Sequence, residues 1–407
     1  MSPTFPSPPS LEAASLDGYI KTYGASVLEL DKSLAAAPGT PDLIDLTHGD
    51  TRAFIPPAVA AADFHSALVE NTEAYTAYRG SGSLRARIAP RLAGLLGRAV
   101  DPDRELIVTP GTQGGLFATL SALVSPGDRV ALPDPEYFMN ERVLAYLGAV
   151  PVRLPLDQDD QGRLSIGAER LAAARAERPR LLLFSHPNNP TGGVYDASTI
   201  QALAKFAVDE DLVVVVDQLY CRLIYGGVTY THLGALPGMI ERTVTLVGPS
   251  KTESMSGYRV GVAVGPPAAV DVMERVLSLS SLRAAAYCQQ ALRHWIVGDA
   301  DWLAQRIAEH QELRDLLVER LRTIPGVSVA SPAGSSYVFP LIEAPRWARN
   351  GDGPDDHEIA VAFKAAGVLV SPGYQFGPAG RGRFRINFSQ DRERLLIAIE
   401  RITTALS

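Results

Sequence analysis

Cysteine is almost absent from this chain. Of 407 residues only Cys221 and Cys288 carry a thiol. Two thiols make at most one bridge, so a disulfide-stapled scaffold is excluded and a reducing, cytoplasmic compartment fits. Lysine is scarce as well: Lys21, Lys32, Lys205, Lys251 and Lys364 stand against 33 arginines. Where arginine would serve, this chain mostly uses arginine, so each lysine raises the question whether arginine could replace it. Long apolar runs are missing, and none approaches the ~18 to 20 residues of a spanning helix. The first ten residues hold four prolines and neither a basic start nor an apolar core, which predicts a flexible arm over 1–15 rather than an export signal. A net charge of −7 is a poor match for wrapping nucleic acid or coating an anionic membrane. The seven histidines form no His-x-x-x-His pair and have no cysteine pair beside them, so no built-in metal site is predicted.

What is present is the composition of a globular α/β protein, with 46 % hydrophobic and 20 % charged residues, enough to bury a sizeable core. Between about 105 and 265 short apolar runs alternate with helical stretches. Strands are predicted at 106–109, 129–132, 180–184, 212–216, 243–247 and 260–264. Leu212 to Val216 is a continuous apolar run, the pattern of a strand covered on both faces. Such alternation predicts a mostly parallel sheet between helices. After it come a long charged helix over 299–323, strands at 327–330, 337–341 and 383–388, a helix near 357–366 and a final helix. This predicts a large domain over 51–294 and a smaller α+β domain made of 16–50 and 295–407.

Ligands of a parallel sheet sit beyond the carboxyl ends of its strands, so the residues following each strand carry the information. Gly111-Thr112-Gln113 opens a helix and offers free N–H groups to an anion, or is simply a strand-to-helix turn. Asp217 ends a buried strand and reads either as the partner of a cation or as a solvated carboxylate. Lys251 sits among small residues and is either a nucleophilic amine or surface decoration. Arg259 suits a phosphate or a carboxylate. Asn189, before Pro190, reads first as a turn.

Taken together and in this order the pieces are more specific. Asn188-Asn189-Pro190-Thr191-Gly192, Ser250-Lys251 with Arg259-Val260-Gly261 beyond it, Pro372-Gly373 with Phe376-Gly377, and Arg385-Ile386-Asn387-Phe388 resemble the class I/II aminotransferases among the fold-type-I enzymes that use pyridoxal 5′-phosphate. The resemblance runs from about Leu43 to the C-terminus. It implies a seven-stranded, mostly parallel sheet in the large domain. It implies that Lys251 forms the internal aldimine and later moves the α-proton, through a quinonoid intermediate, as an L-amino acid passes its amino group to a 2-oxo acid. Arginine cannot do this, because it stays protonated. By the same resemblance Asp217 holds the cofactor's ring nitrogen, and Asn189 and Tyr220 hydrogen-bond its phenolic oxygen. Tyr137 stacks on the ring, or merely packs at a helix start. Gly111, Thr112, Gln113, Ser250 and Arg259 surround the phosphate. Tyr75 reaches the phosphate of the other subunit, which implies a homodimer with shared sites. Arg385 takes the substrate carboxylate as a charge-assisted pair, with Gly49 and Phe376 beside it.

The chain departs from that pattern in three places. Gly248 stands where a phosphate-binding serine is usual, which leaves that contact missing or passes it to Ser250. Gln218 follows the strand-end aspartate in place of an acid. Asp50-Thr51-Arg52-Ala53-Phe54 puts Arg52 at the presumed substrate entrance, to read a distal carboxylate or phosphate or only to face solvent. Arg283 lies in a stretch from which the family's partner subunit reaches the pocket, and His48 precedes Gly49 where it touches substrate or makes a structural hydrogen bond. These departures leave a second chemistry open: a lyase, synthase, decarboxylase or oxidase acting on a specialised amino acid.

Overall fold

The computed structural model describes residues 27–40, 42–49, 53–69, 74–343 and 355–407. The arm predicted over 1–15, the start of the small domain at 16, and Arg52 lie outside the described residues.

Seven strands form the central sheet: β1 (Leu106–Thr109), β2 (Arg129–Asp134), β3 (Val150–Pro155), β4 (Leu181–Ser185), β5 (Val213–Asp217), β6 (Thr243–Val247) and β7 (Gly261–Val264). Their order across the sheet is β1-β7-β6-β5-β4-β2-β3. Every neighbouring pair is parallel except the two made by β7, which runs antiparallel to β1 and β6. The apolar runs are continuous because both faces are covered. On β4, Leu181 and Leu183 pack with the helix Gly111–Leu123, while Leu182 and Phe184 pack on the other face with the helix Ala197–Asp209. Strand β3 escaped the sequence reading. It is an edge strand interrupted by Pro151, with burial that alternates rather than runs on, so it lacks the signature of its neighbours.

The helices begin and end where local chemistry dictates. Ser81 caps Gly82–Leu96, which stops at Gly97 in the left-handed conformation. Asp196 caps Ala197–Asp209 by accepting the Thr199 N–H at 2.7 Å. The helix Gly111–Leu123 differs: Pro110 precedes it and no side chain caps it, so its first N–H groups remain available.

The C-terminal third builds a second unit. Tyr337–Val338, Phe384–Asn387 and Ser371–Pro372 form a small antiparallel sheet beside the helices Ala300–Arg322, Asp356–Ala365 and Arg392–Leu406. The N-terminal segment joins it: Ile44–Asp45 pairs in parallel with Val368–Leu369, and Leu34, Ile44 and Leu46 share a core with Leu313, Phe363 and Ile399. The strand predicted over 337–341 splits into two, with Pro340 between them unable to donate.

One buried ion cluster ties the turn after β5 to the loop after β6. Arg222 pairs with Glu253, which is 2 % exposed, and with Asp299. Arg222→Ala leaves Glu253 buried without its paired cation, and should cost about 3–5 kcal/mol in chemical denaturation, since breaking a buried pair strands a charge. A loss below about 1 kcal/mol would show that the pair does not hold these loops.

Candidate active site

The carboxyl ends of β1, β2, β4, β5 and β6 open onto one cavity of about 370 Å³. Thr112, Gln113, Tyr137, Asn189, Asp217, Tyr220, Ser250, Lys251, Arg259 and Arg385 all line it, so most of the predicted site converges.

At one end lies the uncapped helix. Gly111 takes φ 74°, and a Cβ there would sit 2.6 Å from the Arg259 guanidinium. A Cβ on Gly261 would lie 2.6 Å from the Thr112 nitrogen. Both positions therefore need glycine for the chain to close around the helix start. The Ser250 hydroxyl is buried and has no hydrogen-bond partner among the described residues. Free N–H groups, an arginine and an orphaned hydroxyl make an anion site. Gly248 is close-packed: a Cβ would meet the Thr112 methyl at 3.2 Å, so Thr112 fills the space a larger residue would need.

The cavity floor is Asp217. It is half-buried, and among the described residues the one hydrogen bond its carboxylate accepts is the Leu219 N–H at 3.0 Å. Burial pushes its carboxyl up to about 6, against the Leu219 N–H and the charge of Lys251. Lys251 itself lines the cavity, and among the described residues no hydrogen bond or ion pair holds its Nζ.

Arg385, on the strand Phe384–Asn387, faces the cavity from the second unit. Its Nη1 donates to Asn189 Oδ1 at 2.9 Å, and its Nη2 to the Thr47 carbonyl at 2.8 Å and the Ser371 hydroxyl at 3.3 Å. All three acceptors are neutral, so the charge remains available to a carboxylate.

Four predicted residues sit elsewhere. Phe376 does not line the cavity; it is buried behind Arg385, 4.8 Å from the guanidinium carbon. Gly49 lies in a small adjoining chamber with Ser250, Lys251 and Ser389. Tyr75 is 80 % exposed and stacks on Arg283 at 4.4 Å, outside this chain's cavity. Gly111 contributes through its backbone. His48 stands at the cavity edge, against Thr47 and Asp45.

Several residues were missed. Glu136 is buried beneath the cavity and accepts the Tyr137 N–H at 2.7 Å, the Ser185 N–H at 3.1 Å, the Asn188 amide at 3.2 Å and the Ser185 hydroxyl. Ser185 in turn accepts the Asn189 N–H at 2.9 Å. One buried acid thus fixes both Tyr137 and Asn189, and burial pushes it up to about 8. The turn Asp134-Pro135-Glu136-Tyr137 marked the tyrosine, but nothing in it marked the acid. Tyr337, Thr47, Phe138, Leu219 and Ser256 also line the cavity, and nothing in the sequence singled them out.

An anion site, a strand-end acid with no ion-pair partner among the described residues, a lysine and an arginine above the strand ends fit an enzyme of the amino-transferring class. The comparisons agree: residues 41–402 match the family model for aminotransferase class I and II, and the chain belongs to that family. It is 31 % identical over 344 residues to an aspartate aminotransferase of Musicola paradisiaca, covering 84 % of each chain. It is 30 % identical to an arginine–pyruvate transaminase of Pseudomonas aeruginosa, covering 91 % of this chain and 92 % of that one. The structure of an aspartate aminotransferase from Rhodobacter sphaeroides superposes with a TM-score of 0.85 at 39 % identity, over 94 % of this chain and 99 % of that one. The protein is an aminotransferase, and the lyase or decarboxylase alternative is not favoured.

Gly261→Ala tests the anion cradle, because its Cβ displaces backbone rather than a flexible side chain. It should weaken binding of pyridoxal 5′-phosphate at least about tenfold in a fluorescence titration, a difference of about 1.4 kcal/mol. An unchanged affinity would place the phosphate elsewhere.

Proposed function

We propose that the protein is a homodimeric, pyridoxal 5′-phosphate-dependent aminotransferase that moves the amino group of an α-amino acid to a 2-oxo acid. The observation that carries this reading is the joint fit of the cavity to three parts of one cofactor. The uncapped helix start at Gly111 and Thr112, with Gln113 beside it and with Ser250 and Arg259, suits its phosphate. Asp217 has no ion-pair partner among the described residues and suits a protonated ring nitrogen. Lys251 would supply the amine for its aldehyde, and Asn189, Tyr220 and Tyr137, which line the same cavity, would hold its ring.

When bound, that cofactor draws electrons from the carbon that carries the substrate's amino group. Arg385 binds the substrate carboxylate and fixes that carbon in place, with Gly49 close by. Lys251 Nζ then takes the proton from the substrate Cα, a transfer that needs an amine able to shed its own proton. Asp217 keeps the ring nitrogen protonated, since its half-buried carboxylate is most stable as an anion beside a cation.

An exposed apolar surface supports the homodimer. Tyr75, Val59, Leu282 and Tyr287 are all at least 40 % exposed and sit on adjoining segments, with Tyr75 against Arg283 and Phe64 against Tyr287. A second copy covering that face would receive Tyr75 at its phosphate. Both cysteines are free, in keeping with a cytoplasmic protein, and no helix among the described residues is long and apolar enough to cross a membrane. We infer small-molecule amino and oxo acids as partners, and neither nucleic acid nor membrane.

Incubating the holoenzyme with a panel of L-amino acids should convert pyridoxal phosphate to pyridoxamine phosphate, read by mass spectrometry. Release of ammonia or CO₂ without that conversion would contradict amino transfer. Arg385→Ala should raise KM for the active amino acid about a hundredfold, on the order of 3 kcal/mol for one lost charge of a desolvated pair. A KM that barely moves would put the carboxylate clamp elsewhere.

A further inference from the structure

Tyr337 had no assigned role, yet it touches both Tyr220 and Arg385. It opens the strand Tyr337–Val338, is 3 % exposed and lines the cavity. Its oxygen accepts the Tyr220 hydroxyl at 2.8 Å, with the two rings edge to face at 71°. Its ring lies 4.3 Å from the guanidinium carbon of Arg385, and Phe376 lies 4.8 Å from the same carbon. The carboxylate clamp is therefore held by two aromatic rings as well as by Asn189, Thr47 and Ser371. Cation–π contacts gain strength when desolvated, and Arg385 is buried.

We propose that Tyr337 is a positioning residue for amino transfer, whose ring sets the Arg385 guanidinium and whose hydroxyl oxygen competes with the cofactor for the Tyr220 proton. The proposal rests on the cofactor reading above, in which Tyr220 faces the cofactor's phenolic oxygen. One side chain then joins recognition of the substrate carboxylate to the proton on Tyr220.

The charges around Tyr337 fit this role. Arg385 and the Asn387 amide face it from the neighbouring strand, Tyr220 from the turn after β5, Lys251 from the loop after β6, and Tyr137 from the turn after β2. Burial alone would raise its phenol, but Arg385, Lys251 and the hydrogen bonds of Tyr220 and Asn387 together offset that and hold it below the usual tyrosine range. Burial pushes Tyr220 well above that range. Once ionised, the more acidic Tyr337 can only accept, and the less acidic Tyr220 keeps its proton and donates. A carboxylate on Arg385 neutralises the charge that favours ionised Tyr337, so substrate binding weakens the hold of Tyr337 on the Tyr220 proton.

Tyr337→Phe keeps the ring and removes the oxygen, whereas Tyr337→Ala removes both. The probes are the visible absorption band of the pyridoxal phosphate holoenzyme, titrated with pH, and its perturbation by propionate as a simple carboxylate. In Tyr337→Phe the Tyr220 proton goes wholly to the cofactor oxygen and favours its anionic form, so the midpoint should fall by about 0.5 pH unit or more. Propionate affinity in that variant should change less than about threefold, while Tyr337→Ala should lose about tenfold or more. A residue that only filled space would leave the midpoint of the phenylalanine variant unmoved, and that result would overturn the proposal. Equal loss of propionate affinity in both variants would also overturn it, because the ring would not be what holds Arg385. A wild-type protein with no visible band would overturn the cofactor reading instead.

Discussion

A carboxylate at the end of a fully covered strand is costly unless positive charge comes to it, and Asp217 stands in that position. Its backbone is fixed by the register of β5 against β4 and β6, which places it beside Ser185 and Leu246. The sheet therefore commits a charge to the cavity floor, and the rest of the site answers to it. Lys251, on the next loop, is close enough to lower the Asp217 carboxyl. Under the proposed reading, the anion cradle at Thr112 and the acid at Asp217 would together suit a ligand with a phosphate at one end and a protonated nitrogen at the other.

The second unit supplies what the sheet lacks. Arg385 comes from the C-terminal third, and the Thr47 carbonyl that fixes it comes from the N-terminal segment. These distant stretches meet because Ile44 and Leu46 share a core with Leu313 and Phe363. Asn189 bridges the units: its Oδ1 takes the Arg385 guanidinium, while its N–H is held through Ser185 by Glu136. A carboxylate clamp from one unit is thereby set against the reacting centre of the other.

Six of the seven sheet strands were legible in the sequence because continuous apolar runs leave a strong signal. β3 was not, because an edge strand carrying Pro151 leaves a weak one. Lys251, Asp217, Asn189 and Arg385 were legible through motif order, and the cavity gathers them. Glu136, Ser185 and Tyr337 were not. Their roles depend on contacts between segments 49 and 117 residues apart in the chain, and no local spacing encodes those contacts. Phe376, expected beside Arg385, packs against its guanidinium, 4.8 Å from its carbon.

The scarcity of lysine makes the central claim open to a direct measurement. Borohydride reduction of the pyridoxal phosphate holoenzyme, followed by peptide mass spectrometry, shows which amine the cofactor's aldehyde carbon is joined to. The account predicts one adduct, on the peptide that carries Lys251. An adduct on Lys21, Lys32, Lys205 or Lys364, or none at all, would contradict it.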